Sequence, residues 1–223
     1  MKIHAVADIR AFIKSRPWLI LGMIGATLLL TVGEQLLSDV LQEADLKFAD
    51  VCLAVIRMIL QTALSVVLIR FWYKDRDKAA PFAAVDILKL FVASFLTLLL
   101  IVFCLVSVVL SPLGVWLFLR MDFFMNTYIT GRSNGVFSCV GASFRASKGH
   151  AGRYLVYNIR YLLFYFLIEL AITAVSVSAG FSVSPVPAAV QKALDIFYPL
   201  FISVLMPYRY LLKCVFYDAE LQD

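Results

Sequence analysis

The sequence has few charged residues, and this scarcity excludes an ordinary soluble domain. Only 16% of its 223 residues are Asp, Glu, Lys or Arg, whereas soluble domains carry about a quarter. Apolar and aromatic residues make up 62% of the chain, and the mean hydropathy is +0.90. Several apolar runs reach the ~20 residues that a transmembrane helix needs. We therefore expect an all-α, polytopic membrane helix bundle that occupies residues 1–223 as a single integral membrane domain.

Cysteine and histidine are also scarce, which argues against disulfides and metal centres. The four cysteines, Cys52, Cys104, Cys139 and Cys214, are far apart and include no CxxC pair. We interpret them as small packing residues. Neither of the two histidines has a Glu or Cys at metal-ligand spacing. No metal and no cofactor are expected.

Catalytic and nucleic-acid motifs are missing as well. The chain contains no GxSxG, HExxH or P-loop pattern, and no nucleic-acid module. Its net charge of +5 therefore fits anionic lipid headgroups better than nucleic acid. We expect a protein that is not an enzyme. Its expected partners are the lipid bilayer and either another membrane protein or a second copy of the chain, with no nucleic acid.

Six apolar segments are predicted to span the membrane, and the fourth is short and carries Arg120 and Asp122. The predicted spans are about 17–38, 51–72, 85–110, 112–130, 152–178 and 189–215. Amphipathic surface helices are predicted at about 2–15 and 134–148. The acidic residues 34–50 either extend the first helix or form a separate helix over the outer face. A cleaved signal peptide is the rival interpretation of the N-terminus, but the lack of a small-residue cleavage site before Glu34 favours a retained anchor.

The distribution of Lys and Arg predicts the orientation of these spans. With both termini in the cytoplasm, the inner segments carry fourteen Lys and Arg and the outer segments carry two. Omitting the fourth span would place segment 134–148 outside and remove this bias. We therefore expect six spans in a cytoplasmic membrane, with the N- and C-termini cytoplasmic.

The segment between spans four and five is predicted to be a basic amphipathic helix on the membrane surface. Phe137, Val140, Gly141 and Phe144 recur on one face of it. Helix initiation and small-residue packing account for its serines. The candidate cytoplasmic contacts of this helix are Arg132, Ser143, Arg145, Lys148 and Gly149.

Ionisable residues inside the predicted spans are candidates for a polar network, because a charge in the bilayer costs about 2.5–3.5 kcal/mol on insertion scales. Depth in the membrane predicts that Arg57 pairs with Glu169 or Asp195. Such a pair either fixes the register of the helices or lines an ion, proton or substrate path. Arg120 and Asp122 lie on different faces of a helix and need separate partners. The candidate network comprises Arg57, Arg120, Asp122, Arg160, Glu169 and Asp195.

The chain contains three short motifs from about residue 112 onward. A Pro break leads to a span that ends in Tyr and a GRSN turn, a Ser lies five residues ahead of Lys-Gly, and a Pro-Tyr pair precedes Phe-Tyr by nine residues. They involve Pro112 and Tyr128, Ser143 with Lys148 and Gly149, and Pro207 and Tyr208 with Phe216 and Tyr217. This part of the chain resembles an uncharacterised bacterial family of six-span integral membrane proteins. It departs from that family at Ala146 and Ser147, where the family usually has Leu-Met. That family is related to the membrane domain of some glycerophosphodiester phosphodiesterases. The resemblance implies a six-helix membrane protein without an established activity and supplies no catalytic residue.

Three functions remain open from the sequence. The first is an accessory or partner subunit, or a lipid-interacting organiser, without catalytic groups. The second is a small transporter or channel that uses the intramembrane charges, although the Pro-interrupted segments 111–114 and 183–187 both lie in the second half and no internal repeat is present. The third is a membrane enzyme that acts on lipids.

Tyr208, Tyr210 and Tyr217 are predicted to form an aromatic belt at the interface.

Overall fold

The computed structural model describes residues 2–43, 46–106, 110–132, 135–156 and 188–220, and within these ranges it contains helices and no strand. The all-α class predicted from the sequence is confirmed. Residues 151–156 are also helical. The helices with defined bounds are α1 (Lys2–Ser15), α2 (Pro17–Glu43), α3 (Lys47–Lys74), α4 (Ala84–Val106), α5 (Ser111–Met121), α6 (Phe124–Ile129), α7 (Val136–Ala146) and α8 (Ala188–Glu220).

Four of the described helices are long and apolar enough to cross a membrane. The crossing segments are Pro17–Ser38, Val51–Lys74, Ala84–Ile101 and Pro199–Ala219. They overlap the predicted first, second, third and sixth spans. Nearly all of the predicted fifth span, 152–178, lies outside the described residues. The count of six spans therefore stays a prediction.

The segment predicted as the fourth span, 112–130, does not form one continuous helix. Helix α5 ends at Met121, a turn follows at Asp122 and Phe123, and α6 has only six residues. At 1.5 Å per residue, α5 is about 16 Å long, which is roughly half the thickness of the hydrocarbon core. The break occurs where Asp122 pairs with a residue of α8.

The N-terminal helix packs against the bundle and does not merely precede it. Ile9 and Phe12 of α1 are buried, and the Phe12 ring lies 5.2 Å from the Trp72 ring. Pro17 then begins α2, as expected for a residue whose missing N–H is not needed in a first helical turn. Helix α2 continues to Glu43, so residues 34–43 extend the first helix, which was one of the two interpretations of the acidic segment.

The buried core of the described residues is concentrated at one end of the bundle, which we call the packed end. It consists mainly of residues 66–73 of α3, 119–129 around α5 and α6, and 211–217 of α8. Helix α6 is buried along its whole length. The opposite halves of the long helices expose large apolar side chains, such as Leu29, Ile56, Phe103 and Val204. Apolar surface exposed on this scale suits a bilayer.

Tyr217 is not part of an interfacial belt, and its predicted position there was wrong. Its side chain is 0% exposed and lies edge-on to Tyr73 at 6.3 Å. The neighbouring Phe216 is also buried, whereas Tyr208 stays partly exposed. Because α8 packs against α1, α2 and α3, its last turns are enclosed. Residues that an isolated helix would place at the interface become core residues.

Candidate functional site at the packed end

Asp122 and Lys213 form a buried ion pair between the turn after α5 and helix α8. Lys213 Nζ donates to Asp122 Oδ1 at 2.6 Å, and the side chains of Lys213 and Asp122 are 7% and 12% exposed. The hydroxyl of Tyr154 donates to the other carboxylate oxygen. The rings of Phe123 and Phe216 pack against Tyr154, with centroids 4.4 and 5.1 Å away. Both oxygens of Asp122 are therefore engaged, and aromatic rings shield them from solvent.

Asn126 is the polar centre of helix α6. It is fully buried, and its Nδ2 donates to Tyr73 Oη at 3.0 Å and to Cys214 Sγ at 3.4 Å. Its Oδ1 is buried without a hydrogen-bond partner. One amide thus connects α6 to the last turns of both α3 and α8. The arrangement fixes how three helices meet and leaves one acceptor unused.

The start of α4 is joined to the same end through Asp86. Tyr128 of α6 donates its hydroxyl hydrogen to Asp86 Oδ1 at 2.7 Å, and Lys89 Nζ donates to the same oxygen at 2.8 Å. The backbone N–H of Ala83 donates to Oδ2 at 2.8 Å, which caps the first turn of α4. Asp86 therefore anchors the beginning of α4 to α6.

Asp218, at the end of α8, receives donors from α3 and the loop after it. Trp72 Nε1 donates to Asp218 Oδ2 at 2.9 Å. Arg76 Nε and Lys78 Nζ lie 3.9 and 3.7 Å from the carboxylate oxygens. The Arg76 guanidinium also stacks over the Trp72 ring, 3.6 Å from its centroid. The C-terminal turn of α8 is therefore held to α3 by charge and by an aromatic contact.

Helix α7 is joined to the end of α5 by small hydroxyl side chains. Ser143 Oγ and Ser147 Oγ each donate to the Arg120 carbonyl oxygen at 3.0 Å. The last carbonyls of a helix lack intrahelical donors, so these hydroxyls supply a missing bond. In return, Arg120 Nη2 donates to the Phe144 carbonyl. The Arg120 guanidinium lies 4.4 Å from the Phe144 ring centroid and 5.7 Å from that of Trp116.

The face of α7 that packs inward includes small side chains. Cys139, Ser143 and Ser147 are buried, whereas Phe137 is 77% exposed. The packing use of the serines agrees with the sequence interpretation, and the predicted apolar face is divided, because Val140 packs against the core while Phe137 does not. Ser138 instead bonds to the backbone of Gly135 at the start of the helix.

Of the six residues in the predicted network, the structure describes the side chains of Arg57, Arg120 and Asp122, and it places Arg57 apart from the other two. Arg57 pairs with Glu34 of α2, an acidic partner that the sequence analysis had assigned to the outer segment. Arg57 lies about 24 Å along α3 from Tyr73, at 1.5 Å per residue. Arg120 and Asp122 are both at the packed end and diverge towards α7 and α8, as their spacing predicts. Arg160, Glu169 and the side chain of Asp195 lie outside the described residues.

The sequence does not identify the partners of Asp122. Lys213 is one of the fourteen Lys and Arg in the predicted inner segments, and Tyr154 lies at the entry of the predicted fifth span. A signal was present, because a single Lys inside the apolar run LLKCVFY requires a partner when that run is buried. The predicted contacts of the surface helix are Arg132, Arg145, Lys148 and Gly149, which are exposed, and Ser143, which is buried.

All four cysteines are among the described residues, none forms a disulfide, and Cys104, Cys139 and Cys214 are buried while Cys52 is exposed. In the described ranges, no three His, Cys, Asp or Glu side chains are grouped to hold a metal ion.

No protein-family model matches the chain, and no curated protein or solved structure matches it significantly. Residues of all three motifs noted in the sequence meet at the packed end. Tyr128 binds Asp86, Ser143 binds the end of α5, and Phe216 and Tyr217 lie in the core. The described residues thus form an all-helical fold with four membrane-length helices and a polar cluster buried at one end.

Proposed function

We propose that the chain is a multi-pass integral membrane protein that acts by contact and not by catalysis. It serves as an accessory subunit or a lipid-interacting organiser in the cytoplasmic membrane of a bacterium, with both termini cytoplasmic. The observation that carries this proposal is the engagement of the buried pair Asp122 and Lys213, which bind each other while Asp122 also accepts from the Tyr154 hydroxyl. Such groups hold helices together and are not left available to a reactant.

The path of the chain supports a broken fourth crossing as part of this topology. Helix α4 begins at the packed end, where Asp86 contacts Tyr128. Its 23 residues extend about 34 Å, at 1.5 Å per residue. Helix α6 lies at the packed end again, so the chain between them returns across the same depth. With segment 152–178 as the fifth span, six crossings keep the basic N-terminus, α7 and the end of α8 on one side.

Native mass spectrometry of the full chain, extracted gently from its own membrane, tests the proposal. A co-extracted protein subunit or a phospholipid retained at fixed stoichiometry is the expected result. A chain released with neither would contradict it. The packed end should be required for retention, so a variant that loosens it should release the partner while the chain remains in the membrane.

A small transporter is the second candidate, because α5 and α6 form a discontinuous helix with Asp122 at its break. Transporters often build their binding sites from such helices. Proton flux into pyranine-loaded liposomes separates the two candidates. The contact proposal expects no flux above that of empty liposomes, and flux that disappears in Asp122→Asn would favour transport.

A further inference from the structure

Arg120 is a buried cation for which the described residues provide no acidic partner. It is 8% exposed, and no carboxylate of the described residues forms an ion pair with it. Lys213 at the same end is neutralised by Asp122, and Arg57 is paired with Glu34. A buried charge is unfavourable unless it is compensated. Arg120 therefore requires an anion that the described chain does not supply.

The guanidinium also has unused hydrogen-bond donors. Nη2 donates to the Phe144 carbonyl, whereas Nε is buried without an acceptor. Nη1 has no acceptor among the described residues either, and it is not enclosed as Nε is. The aromatic rings of Trp116 and Phe144 meet edge-on at 5.0 Å beside it and hold the side chain in place. A fixed cation with a free donor at its surface-facing end is suited to bind an anionic oxygen.

The surroundings of Arg120 combine a lipid-facing apolar surface with basic residues. Val115 and Trp116 of α5 and Phe137 of α7 are exposed large apolar side chains. Arg145 and Lys148 come soon after Phe144 along the chain, and both are exposed. Tryptophan and basic residues together are typical of the headgroup region of a bilayer. A ligand that has both an anionic group and hydrocarbon chains matches this surface.

We propose that the phosphate of an anionic phospholipid binds at the junction of α5 and α7. Arg120 Nη1 donates to a phosphate oxygen, and Arg145 and Lys148 attract the headgroup from the rim. The acyl chains lie along Trp116 and Phe137. This inference rests on the proposed function and names the class of lipid and the place where it binds. The anionic lipids of a cytoplasmic leaflet supply such a ligand.

Lipid titration of the purified full chain in neutral detergent, followed by native mass spectrometry, tests the site. The probes are phosphatidylglycerol, phosphatidylcholine and inorganic phosphate. We expect one phosphatidylglycerol to bind more tightly than phosphatidylcholine. Arg120→Gln should weaken phosphatidylglycerol binding by about tenfold, the effect of losing one charge-assisted hydrogen bond. Arg10→Gln, exposed on α1, removes the same charge away from α5 and α7 and should change binding by less than about twofold.

Each outcome separates the site from the general function. Equal binding by Arg120→Gln and the unchanged chain would overturn the site, while selectivity for phosphatidylglycerol in both would leave the lipid-interacting function standing. Equal binding of the two lipids by the unchanged chain would overturn the site, and the proposed function would then depend on a protein partner. Competition by inorganic phosphate at the concentration of the lipid would show that the acyl chains contribute nothing, and this would overturn a lipid as the occupant.

A second variant keeps the test decisive if Arg120→Gln unfolds, because Arg120 also bonds to Phe144. The double variant Arg145→Gln/Lys148→Gln changes only exposed side chains. It should lower phosphatidylglycerol binding by about threefold to tenfold, since each rim charge contributes less than a buried one. Unchanged lipid selectivity in this folded variant would overturn the proposal.

Discussion

Replacement of Lys213 by Met should be among the most destabilising single changes in the chain. The substitution keeps the length and apolar stem of the side chain but leaves the Asp122 carboxylate buried beside Phe123 and Phe216 without its cation. Removing one partner of a buried ion pair typically costs about 3–5 kcal/mol. The pair is 2.6 Å apart and shielded by aromatic rings, which places it in that class. We expect a loss of about that size.

The effect should be largely reversed by removing the carboxylate as well. In Asp122→Leu/Lys213→Met neither charge of the pair remains, but the Tyr154 hydroxyl loses its acceptor, so a loss of about 1–3 kcal/mol should remain. Adding Tyr154→Phe removes that unsatisfied group and should bring stability close to that of the unchanged chain. This graded recovery distinguishes charge isolation from a simple packing defect.

Equilibrium unfolding in mixed micelles, followed by tryptophan fluorescence while the fraction of denaturing detergent is raised, measures these differences. The matched control is Asp75→Asn, which breaks the pair with Arg16. Arg16 Nη2 and Asp75 Oδ1 are also close, at 2.7 Å, but the two side chains are 44% and 26% exposed. Exposed pairs contribute about 0.2–1 kcal/mol. If Lys213→Met costs no more than Asp75→Asn, burial of the pair does not stabilise the packed end and the reasoning is refuted.

Two further predictions use the same unfolding assay. Gly131→Ala should destabilise by about 1–3 kcal/mol, because Gly131 has φ +73° and an added Cβ would lie 2.9 Å from Ala80 Cβ. Gly22→Ala, where nothing lies within 4 Å, should be neutral or stabilising by up to about 1 kcal/mol, and equal losses at the two glycines would contradict the strain. Glu34→Gln and Arg57→Gln should each cost about 1–3 kcal/mol and their combination less than the sum; strict additivity would show that the two side chains do not interact.

The long helices could be predicted from the sequence because their signal is local. The length of an apolar run and the position of Pro17 are sufficient to place the first crossing at 17–38, and the structure has the same segment. The end of α3 and the beginning of α4 follow from the polar turn that separates the two helices. Nothing beyond neighbouring residues is needed for such assignments.

The ion pair of Asp122 could not be predicted in the same way. Its partner Lys213 is 91 positions away along the chain, and the choice depends on how α8 packs against the turn after α5. Charge counting assigned Lys213 to the cytoplasmic surface, since a basic residue near a span end usually lies there. Only the packed structure shows that the last turns of α8 are enclosed.

The residues of α7 that contact other helices could not be predicted, because an amphipathic pattern identifies only the side of a surface helix that faces the bilayer. That pattern places Phe137 towards the membrane, and Phe137 is exposed. In a bilayer the surrounding lipid accepts apolar side chains, and helices approach one another through small residues such as Ser and Cys. Cys139, Ser143 and Ser147 provide that approach here, and the hydroxyls of the two serines bond to the end of α5.

The contrast between the two cations at the packed end bears on function. Lys213 is neutralised inside the protein, and its removal should be felt mainly in stability. Arg120 is held by backbone and ring contacts that do not neutralise it. A path that transports charge would need Lys213 and Arg120 to be accessible one after the other. Aromatic rings instead enclose the pair of Lys213 and Asp122. The pair of Lys213 and Asp122 therefore serves the packing of the helices, whereas Arg120 is the cation on which the proposed lipid site depends.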